Sequence, residues 1–352
     1  MSPARVGTQL IDAHFCTALR IVITNWKSQL SVEDMAQQLS DPVAFGHALL
    51  PALDAELANL GCKRSDVHDL AWQMPCLHLR SVFDPQSIPD TPIGFRPVPD
   101  CVGTLVARAT AIICLAGLGA DTVSYGSENG GDLFVNLVVI PGEGRVSEKS
   151  QGKMNGHTDG VSFPVRGHRD PENPRIAPSP DFVCLSALRN PNAVPTTVMP
   201  LEAILSELDP EHIQELQKPQ YILQSQLTFR DGMEEILGEE LLVDDAQLLF
   251  RMQSGFWIRY SHSSTQPADV GETPAKKAMH ALTQACLNCV IPVALAPGDI
   301  AIVNNRIALH GRTKVGEGHG GVSRWMLRTY GLDTSELDES QRHPNSTFML
   351  FP

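Results

Sequence analysis

The chain has 352 residues, 42% of them hydrophobic and 19% charged, with a formal net charge of −13. That is material for one large catalytic domain, and so negative a balance excludes a nucleic-acid partner, because no basic face can dominate the phosphate interaction. The longest apolar stretch, residues 109–120, is too short and too glycine-broken to cross a bilayer, and eight cysteines without regular spacing read as reduced thiols.

In chain order the signal is helical first and β-rich later. Met1 to Leu10 lacks the apolar run of a signal peptide and reads as a cytoplasmic start. Ser31-Val32-Glu33-Asp34 has the form of a capping box for a helix carrying Met35 and Leu39. Asp41-Pro42 then supplies a cap and a first helical position. From there Phe45, Leu49, Leu53, Leu57 and Leu60 fall at helical spacing, with Pro51 expected to kink or split the run. Residues 102–118 predict another apolar helix, and Leu133 to Ile140 a buried strand. Short strands are predicted at 182–188, 196–199, 222–229, 256–260, 299–303, 307–310 and 324–330, separated by Gly, Pro and Asn. Helical material near 200–218 interrupts them, and 273–290 predicts an amphipathic helix. The pattern is that of a mainly β chain with helices: a sandwich or barrel in one catalytic domain over 1–352. Within it, 1–125 forms a mainly helical wrapping and 126–335 the core, with an insert near 200–245.

His157-Thr158-Asp159 is the first chemical signal. On extended backbone residues two apart project to the same side, so an imidazole and a carboxylate converge there. With His310, far downstream on another strand, they make a 2-His-1-carboxylate triad, which covers one face of an iron(II) ion and leaves positions open. His168-Arg169-Asp170 repeats the triplet inside the proline- and charge-rich run 166–175, which predicts an exposed loop without the support a metal site needs. Cys286 and Cys289 form a lone CxxC and are assigned to helix packing. Fourteen residues past His310, Arg324 offers a planar fork suited to a carboxylate. If 324–330 is extended, Arg324, Met326 and Arg328 share one face, and two arginines pointing inward each call for an anion.

Asn304-Asn305-Arg306, His310-Gly311-Arg312 and Ser323-Arg324-Trp325, preceded by the Gly298-Asp299 turn, resemble the distal half of the clavaminate synthase-like, taurine-dioxygenase-related oxygenases, over roughly residues 100–335. The resemblance implies a double-stranded β-helix (jelly-roll) core. It also implies an enzyme dependent on iron(II), 2-oxoglutarate and O2 that hydroxylates a free L-amino acid or close derivative, a small-molecule partner in place of nucleic acid or membrane. Desaturation or cyclisation in natural-product biosynthesis is the alternative within the family, and a non-catalytic jelly-roll that binds a small acid is the alternative outside it. His157, Asp159 and His310 would hold the metal, Arg324 the distal carboxylate of 2-oxoglutarate, and Arg328 the substrate's α-carboxylate. Asp159 at the carboxylate position favours hydroxylation or desaturation over halogenation. Thr197 matches the family's threonine that hydrogen-bonds 2-oxoglutarate, with Thr196 replacing it after a one-residue slip. Relatives acting on basic amino acids carry acids after a strand resembling Trp257-Ile258-Arg259-Tyr260, whereas Ser261-His262-Ser263-Ser264 follows here. Glu128 and Asp132 read as part of a solvated turn, with a cationic group facing them as the alternative. Asn136, inside a buried strand, either contacts a substrate amino group or bonds a neighbouring strand. Gly160 to Pro180, with five prolines, predicts a mobile lid that closes over substrate.

Overall fold

The computed structural model describes residues 3–352, with side chains from Leu10 onward. Four helices come first: α1 (Pro3–Lys27), α2 (Val32–Gln38), α3 (Pro42–Asn59) and α4 (Arg64–Gln73). Ser31 and Asp34 close the capping box that starts α2. Asp41 caps α3 by accepting from the Ala44 N–H. Pro51 does not split α3, which runs unbroken to Asn59 with the proline on its exposed side. The apolar run predicted over 102–118 is α5 (Val102–Gly117), buried along almost its whole length. It can be apolar all round because α1 and α3 cover one side and a β-sheet the other.

That sheet has the order β1-β13-β5-β15-β2-β16, comprising β1 (Cys76–Leu79), β2 (Asp121–Tyr125), β5 (Phe182–Arg189), β13 (Ile300–Asn304), β15 (Trp325–Leu332) and β16 (Met349–Leu350). The short β3 (Val135–Leu137) also pairs with β15. A second sheet, β12-β6-β14-β4, faces it, built from β4 (Met154–His157), β6 (Thr196–Pro200), β12 (Ile291–Val293) and β14 (Ala308–Arg312). One core lies between the sheets, with Val183, Leu185, Met326 and Tyr330 from the first meeting Val198 and Ala308 from the second. The opposite face of the first sheet sends Trp325, Leu327 and Ile302 into the helical layer. This is the expected jelly-roll, with a larger share of helix than a mainly β chain implies.

Between β6 and β12 the chain makes the expected insert, longer than foreseen: α7 (Leu201–Ser206), α8 (Pro210–Leu216), β7 (Tyr221–Gln224), α9 (Leu227–Leu237), β8 (Leu242–Ala246), the hairpin β9 (Leu249–Met252) and β10 (Gly255–Ile258), β11 (Thr265–Pro267) and α10 (Pro274–Asn288). Here the strand expected over 222–229 divides. Only its first half pairs, and from Leu227 it turns into α9, whose Phe229 and Met233 bury one turn apart before Gly238 ends it in a left-handed cap. Gly232 lets α9 lie directly on the 127 turn; a Cβ there would sit 2.2 Å from the Ser127 carbonyl oxygen. The strand expected over 133–140 shrinks to the three residues of β3.

The lid expectation fails. Val161, Phe163 and Val165 on one arm, and Ile176 and Ala177 on the other, are core residues. The arms are tied by Tyr125 Oη donating to the Pro178 carbonyl at 2.6 Å and by Arg259 Nη1 donating to the Phe163 carbonyl at 3.1 Å. Only the middle, 166–175, is largely exposed, and its Asp170 caps the backbone of Glu172 and Asn173. Proline content misled because prolines also suit packed extended segments that need no ladder N–H. Amide exchange is expected to be slow at Phe163 and Ser179 and fast only within 166–175, with or without ligands; fast exchange throughout 161–178 would restore the lid.

Candidate functional site

Pairing between β4 and β14 puts His310 directly opposite His157. Directly opposed residues project to the same face, and the two rings stand 4.4 Å apart, centroid to centroid. Asp159, just beyond β4, completes the group. His157 Nε2 lies 3.4 Å from Asp159 Oδ1 and His310 Nε2 3.7 Å from Asp159 Oδ2. Among the described residues this is the one His/Cys/Asp/Glu trio whose ligand atoms all fall within 4.8 Å of one another, and all three are buried. His157 Nδ1 sits 2.9 Å from the Asn155 carbonyl oxygen, so it carries the proton and Nε2 presents its lone pair to the centre. Burial alone would raise the Asp159 carboxyl, but the two imidazoles reverse this and hold it well below the ordinary carboxylate range. Burial and the neighbouring His157 lower His310. Two imidazoles and one carboxylate on one side of a buried point form a donor set that fits iron(II).

The segment carrying Asp159 is fixed from three sides. Asn305 accepts from the Asp159 N–H at 2.9 Å and donates to the carbonyls of Asp159 and Pro180. Gln226 accepts from the Gly160 N–H and donates to the Thr158 carbonyl. The Thr158 N–H donates to the Tyr260 carbonyl. Such outer contacts set ligand orientation, so Asn305→Ala is expected to weaken iron affinity by about 10- to 100-fold while the protein stays folded. Metal titration alongside circular dichroism checks this; unchanged affinity would make Asn305 a fold residue only.

Arg324 and Arg312 lie close together on the interior side. Arg324 is buried without an acidic partner among the described residues, and its Nε has no hydrogen-bond partner. Burial, reinforced by the charge of Arg312, pulls its guanidinium down to about 9. Arg312 spends Nη2 on the carbonyls of Lys149 and Gly152. A buried guanidinium pressed by a second cation is a receptor for an anion, which fits the distal carboxylate of 2-oxoglutarate.

The other expected site residues fare unevenly. Thr197 is a correction. In the β6–β14 pairing His310 opposes Val198 and Arg312 opposes Thr196, so Thr196 and Val198 face the interior while Thr197 faces out. Thr197 lines a separate cavity of about 140 Å³ with Met199, Tyr260 and Cys286. Thr196, the one-residue alternative, holds the inward position. Asn136 is also a correction, because its side chain is fully spent on structure. It donates to the carbonyls of Gly94 and Pro97 and accepts from Trp325 Nε1, on the neighbouring β15, at 2.9 Å, so of its two alternatives the neighbouring-strand bond holds. Arg328 meets Glu128, with Nη2 2.6 Å from Oε2, and its Nη1 stands 3.9 Å from Asp159 Oδ2. Glu128 is thus no solvated turn residue. It is 4% exposed, its Oε1 has no partner, and burial raises its carboxyl despite the pull of Arg328. Of its two readings the cationic neighbour holds, though the cation is Arg328, 200 residues away in the chain. Cys286 is buried on α10 and Cys289 caps it, in keeping with packing. His157, Asp159, Arg312 and Arg328 line one cavity of about 470 Å³, bounded by α9 and by Val135, Leu137 and Val138.

Residues 138–330, more than half of the chain, match the family model described as taurine catabolism dioxygenase TauD, TfdA family. The chain belongs to that family. The oxygenase is 28% identical over 268 residues to the L-asparagine oxygenase of Streptomyces coelicolor (strain ATCC BAA-471 / A3(2) / M145), covering 73% of this chain and 72% of the relative. It is 22% identical to the L-lysine 3-hydroxylase of Catenulispora acidiphila, over 86% and 71% of the two chains. Two solved structures share its fold. One is asparagine oxygenase with Fe(II), 2S,3S-3-hydroxyasparagine and succinate, at a TM-score of 0.74, 19% identity and 96% and 97% coverage of the two chains. The other is the non-heme iron oxygenase OrfP with Fe, succinate and (3S)-hydroxy-L-Arg, at 0.73, 21% identity and 99% and 98% coverage. The enzyme is an iron(II)- and 2-oxoglutarate-dependent oxygenase. No helix among the described residues is long and apolar enough to cross a membrane.

Proposed function

We propose that the oxygenase hydroxylates a free L-amino acid or close derivative at an unactivated C–H bond, with His157, Asp159 and His310 as iron ligands. The observation that carries this reading is the buried Arg328–Glu128 pair beside the trio. An amino acid brings one carboxylate and one ammonium on the same carbon, and this pair offers one charge to each. When bound, iron(II) with 2-oxoglutarate and O2 supplies C–H oxidation together with decarboxylation of the cosubstrate to succinate. The chain's own residues position the reactants. Arg324 takes the distal carboxylate of 2-oxoglutarate, Thr196 lies on the same inner face, and the apolar wall of Val135, Leu137 and Val138 keeps water away. Relatives named for oxidation of asparagine and lysine support an amino-acid substrate. Eight unpaired cysteines suit a reducing, cytoplasmic setting.

Aerobic succinate formation dependent on iron(II), 2-oxoglutarate and one member of a free amino-acid panel tests the proposal. Iron-dependent consumption of 2-oxoglutarate that no amino acid stimulates would reject it. Replacing Arg324 with alanine is expected to raise the apparent KM for 2-oxoglutarate by about 10- to 100-fold, since hydrogen bonds to charged groups contribute about 1.5–3 kcal/mol. Arg328→Ala should instead raise the substrate KM and leave uncoupled cosubstrate turnover. Equal cosubstrate defects in both variants would show that the two arginines do not divide these roles.

A further inference from the structure

A second cavity, of about 440 Å³, adjoins the first and shares His157, Lys149, Met154 and Gln226 with it, so it opens onto the proposed metal trio. Its walls contrast with the chain as a whole. Arg145, Lys149, Lys153 and Arg230 line it against a single acid, Glu148, in a protein of net charge −13. Arg230 is engaged by Glu240 at 3.1 Å, but Arg145, Lys149 and Lys153 take part in no ion pair among the described residues. Gln224 and the run Ser261-His262-Ser263-Ser264 add hydrogen-bonding groups, beside the apolar Met154 and Leu227. The acids near the site lie elsewhere, with Asp231 and Glu235 lining the first cavity from α9. Lys149 links the two cavities.

We propose that this lobe receives an oxyanion at the far end of the substrate, so that the preferred substrate is an amino acid whose side chain ends in a carboxylate or a phosphate. The inference rests on the amino-acid hydroxylase reading and adds the sign of the side chain. A cationic end group would meet three unpaired cations, whereas an anionic one gains charge-assisted hydrogen bonds from them and from the serine hydroxyls. Concentrated positive potential in a cleft also draws anions in, an effect that salt screens.

The test sets L-aspartate, L-glutamate and O-phospho-L-serine against L-asparagine, L-glutamine, L-lysine and L-arginine. Two quantities are read: coupled succinate formation, and binding to the iron(II)- and 2-oxoglutarate-loaded enzyme under argon. At least one acidic member should exceed its amide counterpart tenfold or more in kcat/KM, with affinity falling as salt rises. The phosphoserine arm tells a phosphate site from a carboxylate one. In Arg145→Glu/Lys153→Glu the preference should narrow or invert toward L-lysine, which a merely structural change would not produce. If that variant does not fold, the panel on the natural enzyme decides. Equal or better coupling by the amides or the basic amino acids would overturn the anionic lobe and leave the hydroxylase reading standing. Iron-dependent 2-oxoglutarate consumption with no response to any amino acid would overturn both.

Discussion

Alanine at His157 or at His310 is expected to abolish iron-dependent 2-oxoglutarate consumption, while alanine at His168 leaves it near the natural level. Each ligand imidazole supplies one of three protein bonds to the metal, and nothing buried nearby can replace it, because the trio stands alone among the described residues. His168, in the exposed middle of the 160–180 segment, stands edge-on to Phe250 at 5.5 Å between centroids, away from the trio. Iron content after dialysis should fall with activity in the first two variants and stay unchanged in the third. A dead His168→Ala enzyme beside an active His157→Ala enzyme would move the metal to the other triplet.

Removal of Arg306 should cost more stability than any change so far described. Its guanidinium is 2% exposed, and Nε lies 2.8 Å from Asp181 Oδ1 while the remaining nitrogens reach Ser179 Oγ and the Ser179 carbonyl. Asp181 is itself fully buried and also receives Arg166 and the Asp333 N–H. Truncating one partner of such a pair leaves the other charge dry, at a cost of about 3–5 kcal/mol. Denaturant unfolding of Arg306→Ala should show that loss, with Arg306→Lys in between because an ammonium keeps the charge but not the fork. A loss below about 1 kcal/mol would mean that Arg166 takes over the carboxylate. Since Asp181 and Ser179 lie behind the Asp159 loop, iron affinity should fall in parallel with stability.

What the sequence disclosed depended on how local the cause was. The metal trio was readable because strand alternation is a two-residue rule and His310 falls inside a dense distal motif. Arg324 was readable because the resemblance places a 2-oxoglutarate-binding arginine fourteen residues after the second histidine, although an irregular segment separates β14 from β15. Glu128 was only half readable: a cation facing it was the alternative to a solvated turn, but its burial comes from Arg328 and from the close approach of α9 at Gly232, contacts made across 100 to 200 residues. Thr197 shows how sharp the limit is. The segment was placed correctly, yet a one-residue difference in register exchanges the inner face for the outer one. The 222–229 strand failed for a similar reason, since Phe229 and Met233 are apolar at a spacing that only the packing of α9 turns into a helix. In the helical layer the caps at Ser31 and Asp41 were legible because they are made within three residues.

Asn304, Asn305 and Arg306 are consecutive, yet they fasten three different parts of the molecule. Asn304 Nδ2 reaches the carbonyls of Ala71 and Trp72 at the end of α4, Asn305 holds the Asp159 loop, and Arg306 holds Asp181. The phase of this tripeptide is therefore its content: inserting or deleting one residue would send every side chain to a neighbour's target and undo three attachments at once. Substitution can probe these attachments singly, but length variation cannot. Asn304 is one of the points at which the helical wrapping meets the strands that carry the site, so a homologue or engineered hybrid that exchanges its N-terminal half must present the end of α4 to it.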